Sequence, residues 1–180
     1  SRGMVEHFRL CAESTGLPLI MYNVPGRTGC SLTLAEIAEL KKIPNIAGIK
    51  EASGNISYTA QVAAEVPELH IYSGNDDMIV PIMSLGGKGV ISVVSNILPK
   101  KTVELCDKFF AGDLAGSCKI QLDLLPLINS LFCEVNPIPV KAATAAIGYG
   151  ENYVRLPLTT MEPENEAKMR ALMREQGLNV

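Results

Sequence analysis

The sequence predicts an α/β fold in which parallel strands and helices alternate along the first half of the chain. Four short apolar runs are bounded by turn residues, which is typical of buried parallel strands. Helical patterns separate these runs, and a strand–helix alternation indicates βα units around a parallel sheet. The predicted strands are residues 17–23, 46–51, 69–73 and 89–93. The predicted helices of this part are residues 4–15, 33–42, 56–66 and 77–85.

The spacing of these units matches a (β/α)8 barrel, in which each unit takes roughly 30 residues. We therefore predict that residues 1–96 form the C-terminal half of such a barrel. Residues 97–180 are expected to hold the last barrel helix and a C-terminal helical region. The helices predicted there are residues 99–111, 114–132, 139–147 and 163–176.

Four strands do not close a barrel, since a half-barrel leaves two open sheet edges and an exposed apolar face. The chain also lacks an initiating Met. From these two observations we expect an N-terminal half to be missing here or to be supplied by another chain.

Composition narrows the class of protein and its partners. Of the 180 residues 47% are hydrophobic, and the net charge of −3 favours neither nucleic acid nor an anionic membrane. No apolar stretch has transmembrane length, and no signal peptide is evident. The cysteines form no CxxC pairs and their number is odd, which predicts reduced, mostly buried thiols in a cytoplasmic protein. They are Cys11, Cys30, Cys106, Cys118 and Cys133. No metal and no cofactor is implied.

Reactive side chains stand where two predicted strands end. The second strand ends near Lys50, and the first ends near Tyr22, followed by a turn and Arg27. An unperturbed lysine has a pKa of ~10.4, and desolvation at a strand mouth favours the neutral, nucleophilic amine. Tyr22 can relay a proton, while the guanidinium of Arg27 can bind a carboxylate in bidentate fashion. Together they predict an imine-forming enzyme that acts on a carboxylate.

Five motifs in order along the chain carry a resemblance to a known family. They are YNVPGRTG at 22–29, GIKEASG at 48–54, SGNDD at 73–77, GVISV at 89–93 and NPIPVKAA at 136–143. Together they resemble the dihydrodipicolinate synthase family of pyruvate-dependent Schiff-base lyases. The Gly26-Arg27 pair favours this family over sibling enzymes such as N-acetylneuraminate lyase.

The resemblance implies a 4-hydroxy-tetrahydrodipicolinate synthase that condenses pyruvate with L-aspartate 4-semialdehyde on the diaminopimelate route to lysine. Lys50 would form the pyruvate imine, Tyr22 would relay protons, and Arg27 would bind the semialdehyde carboxylate. Gly74 and Asn75 would lie near the substrate, and Ile91 would contact the adduct through its backbone. The family resemblance also implies a homo-oligomer, commonly a tetramer.

The family's second relay tyrosine, relay threonine and Thr-Thr pair have no match in residues 1–180, so the fragment alone is of doubtful activity. Two other functions stay open: an aldolase for sugar acids such as N-acetylneuraminate lyase, and a non-catalytic partial barrel subunit. Lys141 is a rival nucleophile, although it follows two prolines at the start of a predicted helix.

Overall fold

The structure is a computed structural model that describes residues 2–180. It divides into two compact units, the first ending at Ile91 and the second running from Ser92 to Val180. Our predicted boundary between the half-barrel and the helical region, at residues 96 and 97, stays a prediction.

The first unit is built from βα repeats, as the sequence indicates. Its strands are β1 (Leu19–Asn23), β2 (Ile46–Glu51) and β3 (His70–Ser73). Its helices are α1 (Arg2–Glu13), α2 (Pro25–Thr28), α3 (Leu34–Leu40), α4 (Ile56–Glu65) and α5 (Ile79–Ser84), with a 3-10 turn at Asp76–Met78 before α5.

The three strands form one parallel sheet in the order β1-β2-β3. At the C-terminal ends of the strands, Tyr22, Lys50 and Tyr72 are successive Cα partners. The next row pairs Asn23, Glu51 and Ser73 in the same way. Since neighbouring residues of a strand point to opposite faces, these two rows lie on opposite sides of the sheet.

The fourth predicted strand, at 89–93, is not a regular strand, so the expectation of about four strands was wrong. Val90 forms only an isolated parallel bridge with Ser73. The Ser73 N–H donates to the Gly89 carbonyl at 2.8 Å, and the Ile91 N–H donates to the Ser73 carbonyl at 2.9 Å. Gly89 has φ +132°, which takes the backbone out of the extended region and shortens the ladder.

Apolar side chains of the helices and of one sheet face form the core of this unit. Met21 on β1 and Ile49 on β2 are fully buried. Ile37 and Leu40 of α3 and Val62 of α4 belong to the same cluster. The helices therefore cover the sheet face that carries the Asn23–Glu51–Ser73 row.

A capping box starts α3. The Thr33 hydroxyl accepts the Glu36 backbone N–H at 3.3 Å, and Glu36 accepts the Thr33 N–H at 2.7 Å. That backbone hydrogen bond holds the pKa of Glu36 below its ordinary value. We expect Thr33→Ala to lower the free energy of unfolding by about 1 kcal/mol, because the cap satisfies a donor of a seven-residue helix. Urea denaturation should show this loss, whereas Thr33→Ser should keep most of the stability.

The second unit contains the four helices predicted for it, each within two residues at both ends. They are α6 (Pro99–Phe110), α7 (Leu114–Ser130), α8 (Ile138–Ala146) and α9 (Pro163–Glu175), preceded by a 3-10 turn at Val94–Asn96. Its own buried cluster includes Leu124, Leu131 and Met169. Lys141 lies on α8 with a partly buried side chain.

Candidate functional site

The Tyr22–Lys50–Tyr72 row brings the predicted nucleophile against an aromatic side chain. The Lys50 Nζ lies 4.1 Å from the centre of the Tyr22 ring. An ammonium at this distance from the face of a phenol ring makes a favourable cation–π contact. The structure thus brings together the lysine and the tyrosine that the sequence singled out.

These side chains lie on the sheet face opposite the buried polar row. On β1, Met21 is fully buried whereas Tyr22 keeps 42% of its surface exposed. Lys50 is partly buried on the central strand. All three residues of the row stand at the carboxyl ends of parallel strands, which is the edge where α/β proteins place their ligands.

Gly74 leaves room for the Lys50 side chain. Its backbone N–H donates to the Glu51 carbonyl at 2.7 Å, which brings the loop after β3 close to the end of β2. A Cβ on Gly74 would lie 3.2 Å from Lys50 Cε and only 2.6 Å from the Ala52 Cβ. The predicted site residue Gly74 therefore lies directly against Ala52 and the Lys50 side chain. A side chain at position 74 would force these neighbours to move.

Asn75 and Ile91 lie in the two segments that hydrogen-bond to Ser73. The Ser73 hydroxyl donates to the Asn75 carbonyl at 2.7 Å, and the Ile91 N–H donates to the Ser73 carbonyl at 2.9 Å. The Oδ1 atom of Asn75 is buried and accepts no hydrogen bond from the residues that the structure describes. Such an acceptor is available to a hydroxyl or ammonium donor of a ligand.

Arg27 lies in α2, the single helical turn that follows β1. The Arg27 N–H donates to the Val24 carbonyl at 2.9 Å, and the turn closes at Gly29, whose φ is +69°. The sequence predicted a sharp turn here, and the structure resolves that turn as α2. The Arg27 side chain is exposed on it.

Sequence reasoning missed two features of this edge. Tyr72 is the Cα partner of Lys50 on β3, so aromatic residues pair with the lysine from both sides. The second feature is the polar row beneath, in which Asn23 and Glu51 are each 2% exposed and Ser73 is fully buried. The signal for this row was a polar residue at the end of each apolar run.

The buried carboxylate of Glu51 is satisfied by two donors. Its Oε2 accepts from Asn23 Nδ2 at 2.7 Å, and its Oε1 accepts the Ser53 backbone N–H at 2.6 Å. Asn23 Oδ1 in turn accepts the Leu32 N–H at 3.0 Å and the Ser31 hydroxyl at 3.3 Å. A buried charge without such partners would cost several kcal/mol.

Tyr58 on α4 hydrogen-bonds to Leu32, the residue whose N–H donates to Asn23. Its hydroxyl donates to the Leu32 carbonyl at 2.6 Å. Burial, and secondarily the nearby Glu51 carboxylate, raises the pKa of Tyr58 to about 12. The folded state therefore favours the protonated phenol, and this contribution to stability is complete below the ordinary tyrosine pKa of about 10.

We expect Tyr58→Phe to reveal this contribution. At pH 8 the variant should be less stable by about 1 kcal/mol, because the Leu32 carbonyl loses its donor. As the pH rises from about 10 through 12, the wild-type protein loses the part of its free energy of unfolding that comes from the protonated Tyr58 phenol. The phenylalanine variant has no such group to ionise, so it does not lose this part. Urea denaturation at pH 8 and pH 11 should show a smaller difference at pH 11; an equal difference would contradict the assignment.

Within residues 2–180, no group of His, Cys, Asp and Glu side chains is arranged to hold a metal ion, and no helix is long and apolar enough to cross a membrane. The expectation that no metal or cofactor takes part stays a prediction. The expectation that the cysteines are mostly buried was wrong, since Cys30 and Cys133 are exposed and the other three are only partly buried.

Comparison with known protein families identifies the relatives of this chain. The model of the dihydrodipicolinate synthetase family matches residues 1–176. The chain belongs to that family. It is 49% identical over 178 residues to the 4-hydroxy-tetrahydrodipicolinate synthase of Alkaliphilus oremlandii, and 47% identical over 179 residues to that of Caldicellulosiruptor bescii. These alignments cover 98% and 99% of this chain, but 61% of each relative.

Solved structures give the same result for the fold. The crystal structure of dihydrodipicolinate synthase from Aquifex aeolicus has a TM-score of 0.95 at 37% identity and covers 98% of this chain. That from Thermotoga maritima has a TM-score of 0.94 at 39% identity and covers 99%. The chain spans 61% and 62% of those two structures. The α/β fold is therefore that of this family, over a part of its length.

Proposed function

We propose that this chain is part of a 4-hydroxy-tetrahydrodipicolinate synthase, which condenses pyruvate with L-aspartate 4-semialdehyde in lysine and diaminopimelate biosynthesis. The observation that carries the proposal is the Lys50 amine held against Tyr22 at the carboxyl edge of the sheet. Membership of the family supports the choice of substrates. We propose the cytoplasm as the location of the reaction.

The proposed chemistry begins with the Lys50 amine adding to the ketone carbon of pyruvate. Loss of water gives an imine, and loss of a methyl proton gives an enamine. The enamine carbon attacks the semialdehyde aldehyde, which becomes a hydroxyl. The substrate's own amine then adds to the imine carbon and displaces Lys50 as the ring closes. The lysine imine itself accepts the electron pair that is left when the methyl proton is lost, so no metal or cofactor enters the proposal.

Each remaining site residue has a proposed role. Tyr22 would carry protons to and from the departing water, since its ring already contacts the amine. Arg27 would bind the semialdehyde carboxylate with its planar fork of donors. Gly74 and Asn75 would lie beside the substrate, with the buried Asn75 Oδ1 available to a ligand donor. Ile91 would contact the pyruvate adduct through its backbone.

We further propose that the sheet is the second half of a closed (β/α)8 barrel in a homotetramer. The support is that the chain covers about three fifths of its relatives, while β1 pairs on one side only among the described residues. A closed barrel removes such an edge. Light scattering of the complete protein tests the tetramer, and a stable monomer would reject it.

Pyruvate trapping tests the reaction. The complete protein is treated with pyruvate and borohydride, and the reduced adduct is located by peptide mass spectrometry. The proposal expects the adduct on Lys50. An adduct on Lys141, or none on any lysine, would reject it. If the adduct forms but aspartate semialdehyde is not consumed, a sibling aldolase acting on sugar acids is favoured instead.

A further inference from the structure

The buried, hydrogen-bonded pair Asn23–Glu51 connects β2, which carries Lys50, with the segment that carries Arg27. Glu51 follows Lys50 directly on β2, and Asn23 follows Tyr22 directly on β1. Asn23 also hydrogen-bonds to Ser31 and Leu32, beyond the turn that carries Arg27. Residues 24–30, here called the Arg27 loop, therefore begin directly after Asn23. The two residues that follow the loop hydrogen-bond to the Asn23 side chain.

The donor and the acceptor of each hydrogen bond around this pair are fixed. The Leu32 backbone N–H can only donate, so it must face Asn23 Oδ1. Asn23 Nδ2 then faces Glu51, whose other oxygen receives the Ser53 N–H. Glu51 thus acts only as an acceptor, and its acceptor character sets the orientation of the Asn23 amide. A change at Glu51 is transmitted through Asn23 to the closing point of the Arg27 loop.

We propose that Asn23 and Glu51 are a positioning pair that fixes the Arg27 loop, and with it the site for the carboxylate of the second substrate. The pair lies on the sheet face opposite Lys50 and Tyr22, so it leaves the lysine chemistry intact. The part of this inference that concerns the carboxylate rests on the proposed function. The part that concerns the order of the loop does not.

An exchange of the two groups tests the pair. Glu51→Gln places an amide against the donors of Asn23 and Ser53, and Asn23→Asp places a second carboxylate beside Glu51 in a buried site. The double variant Asn23→Asp/Glu51→Gln restores every partner. The new carboxylate accepts from Leu32 and from the new amide, whose oxygen still accepts the Ser53 N–H. The number of heavy atoms is unchanged.

Tryptic cleavage after Arg27 measures loop order without any substrate, because Arg27 is an exposed trypsin site. Each single variant should be cleaved there at least about ten-fold faster than wild type, and the double variant should return to within about three-fold. Ser117→Ala is the matched control, since it removes a buried hydrogen bond to the Leu105 carbonyl on helices of the second unit. Its cleavage after Arg27 should equal that of wild type.

Kinetics of the complete enzyme test the second part. In the single variants KM for aspartate semialdehyde should rise at least about ten-fold, while pyruvate trapping on Lys50 stays within about two-fold. The double variant should recover the wild-type KM. Single variants with unchanged cleavage after Arg27, or a double variant no better than the singles, would overturn the pairing. If the exchange restores loop order while wild type traps no pyruvate, the proposed function fails and the positioning pair stands.

Discussion

Replacing Lys50 with alanine is expected to abolish the trapped pyruvate adduct and to lower turnover by roughly 10⁴-fold or more. The variant removes the only amine that the sheet edge places against the Tyr22 ring among the described residues. Stability should change little, because Lys50 is partly exposed and its aliphatic stem is the main packing that is lost.

Lys141→Ala provides the control for this result. Lys141 is the rival amine and lies on α8 of the second unit. Its variant should still form the borohydride-trapped adduct at the wild-type level, as judged by intact mass. Residual adduct on the Lys50→Ala variant, or its loss from the Lys141→Ala variant, would reassign the nucleophile.

Replacing Gly48 with alanine is expected to destabilise the protein by about 2–3 kcal/mol, the upper part of the range for adding an atom to a filled interior. Gly48 lies on the central strand as the Cα partner of His70. A Cβ there would lie 2.6 Å from the His70 carbonyl oxygen, and a backbone atom cannot move aside as a flexible side chain can. The ladder between β2 and β3 would have to separate locally.

Urea denaturation measures this cost, with Gly16→Ala as the matched control in the same unit. A Cβ on Gly16 would meet no atom within 4 Å, so this variant should stay within about 0.5 kcal/mol of wild type. Equal stability of the Gly48 and Gly16 variants would mean that the strands tolerate the added methyl group. Because Gly48 precedes Lys50 by two positions on β2, trapping of pyruvate should weaken in parallel with stability.

Local patterns were sufficient to predict most of the elements. The runs that became β1, β2 and β3 are apolar and end at polar residues, so their place in a parallel sheet followed from composition and spacing. The prediction failed at 89–93, where Gly89 has a positive φ that the apolar pattern of its neighbours does not reveal. Helix α2 was expected only as a turn, because four residues are too few for a helical period.

The site was predictable in part. Lys50 and Tyr22 were identified because reactive side chains at strand ends stand out in an apolar context, and their contact is a fact of the structure. Tyr72 and the Asn23–Glu51 pair were missed, since their importance depends on which residues become partners across strands. Register is a property of the assembled sheet, and the sequence of one strand does not contain it.

The two rows at the sheet edge also determine which changes in chain length the protein can tolerate. Inserting or deleting one residue within β2 would exchange the faces of Lys50 and Glu51, turning the amine into the helix-packed interior and the carboxylate away from Asn23. The reactive amine would leave the exposed sheet face, and the hydrogen bond from Asn23 to Glu51 would be lost at the same time. Insertions and deletions are therefore expected only in the loops between these strands.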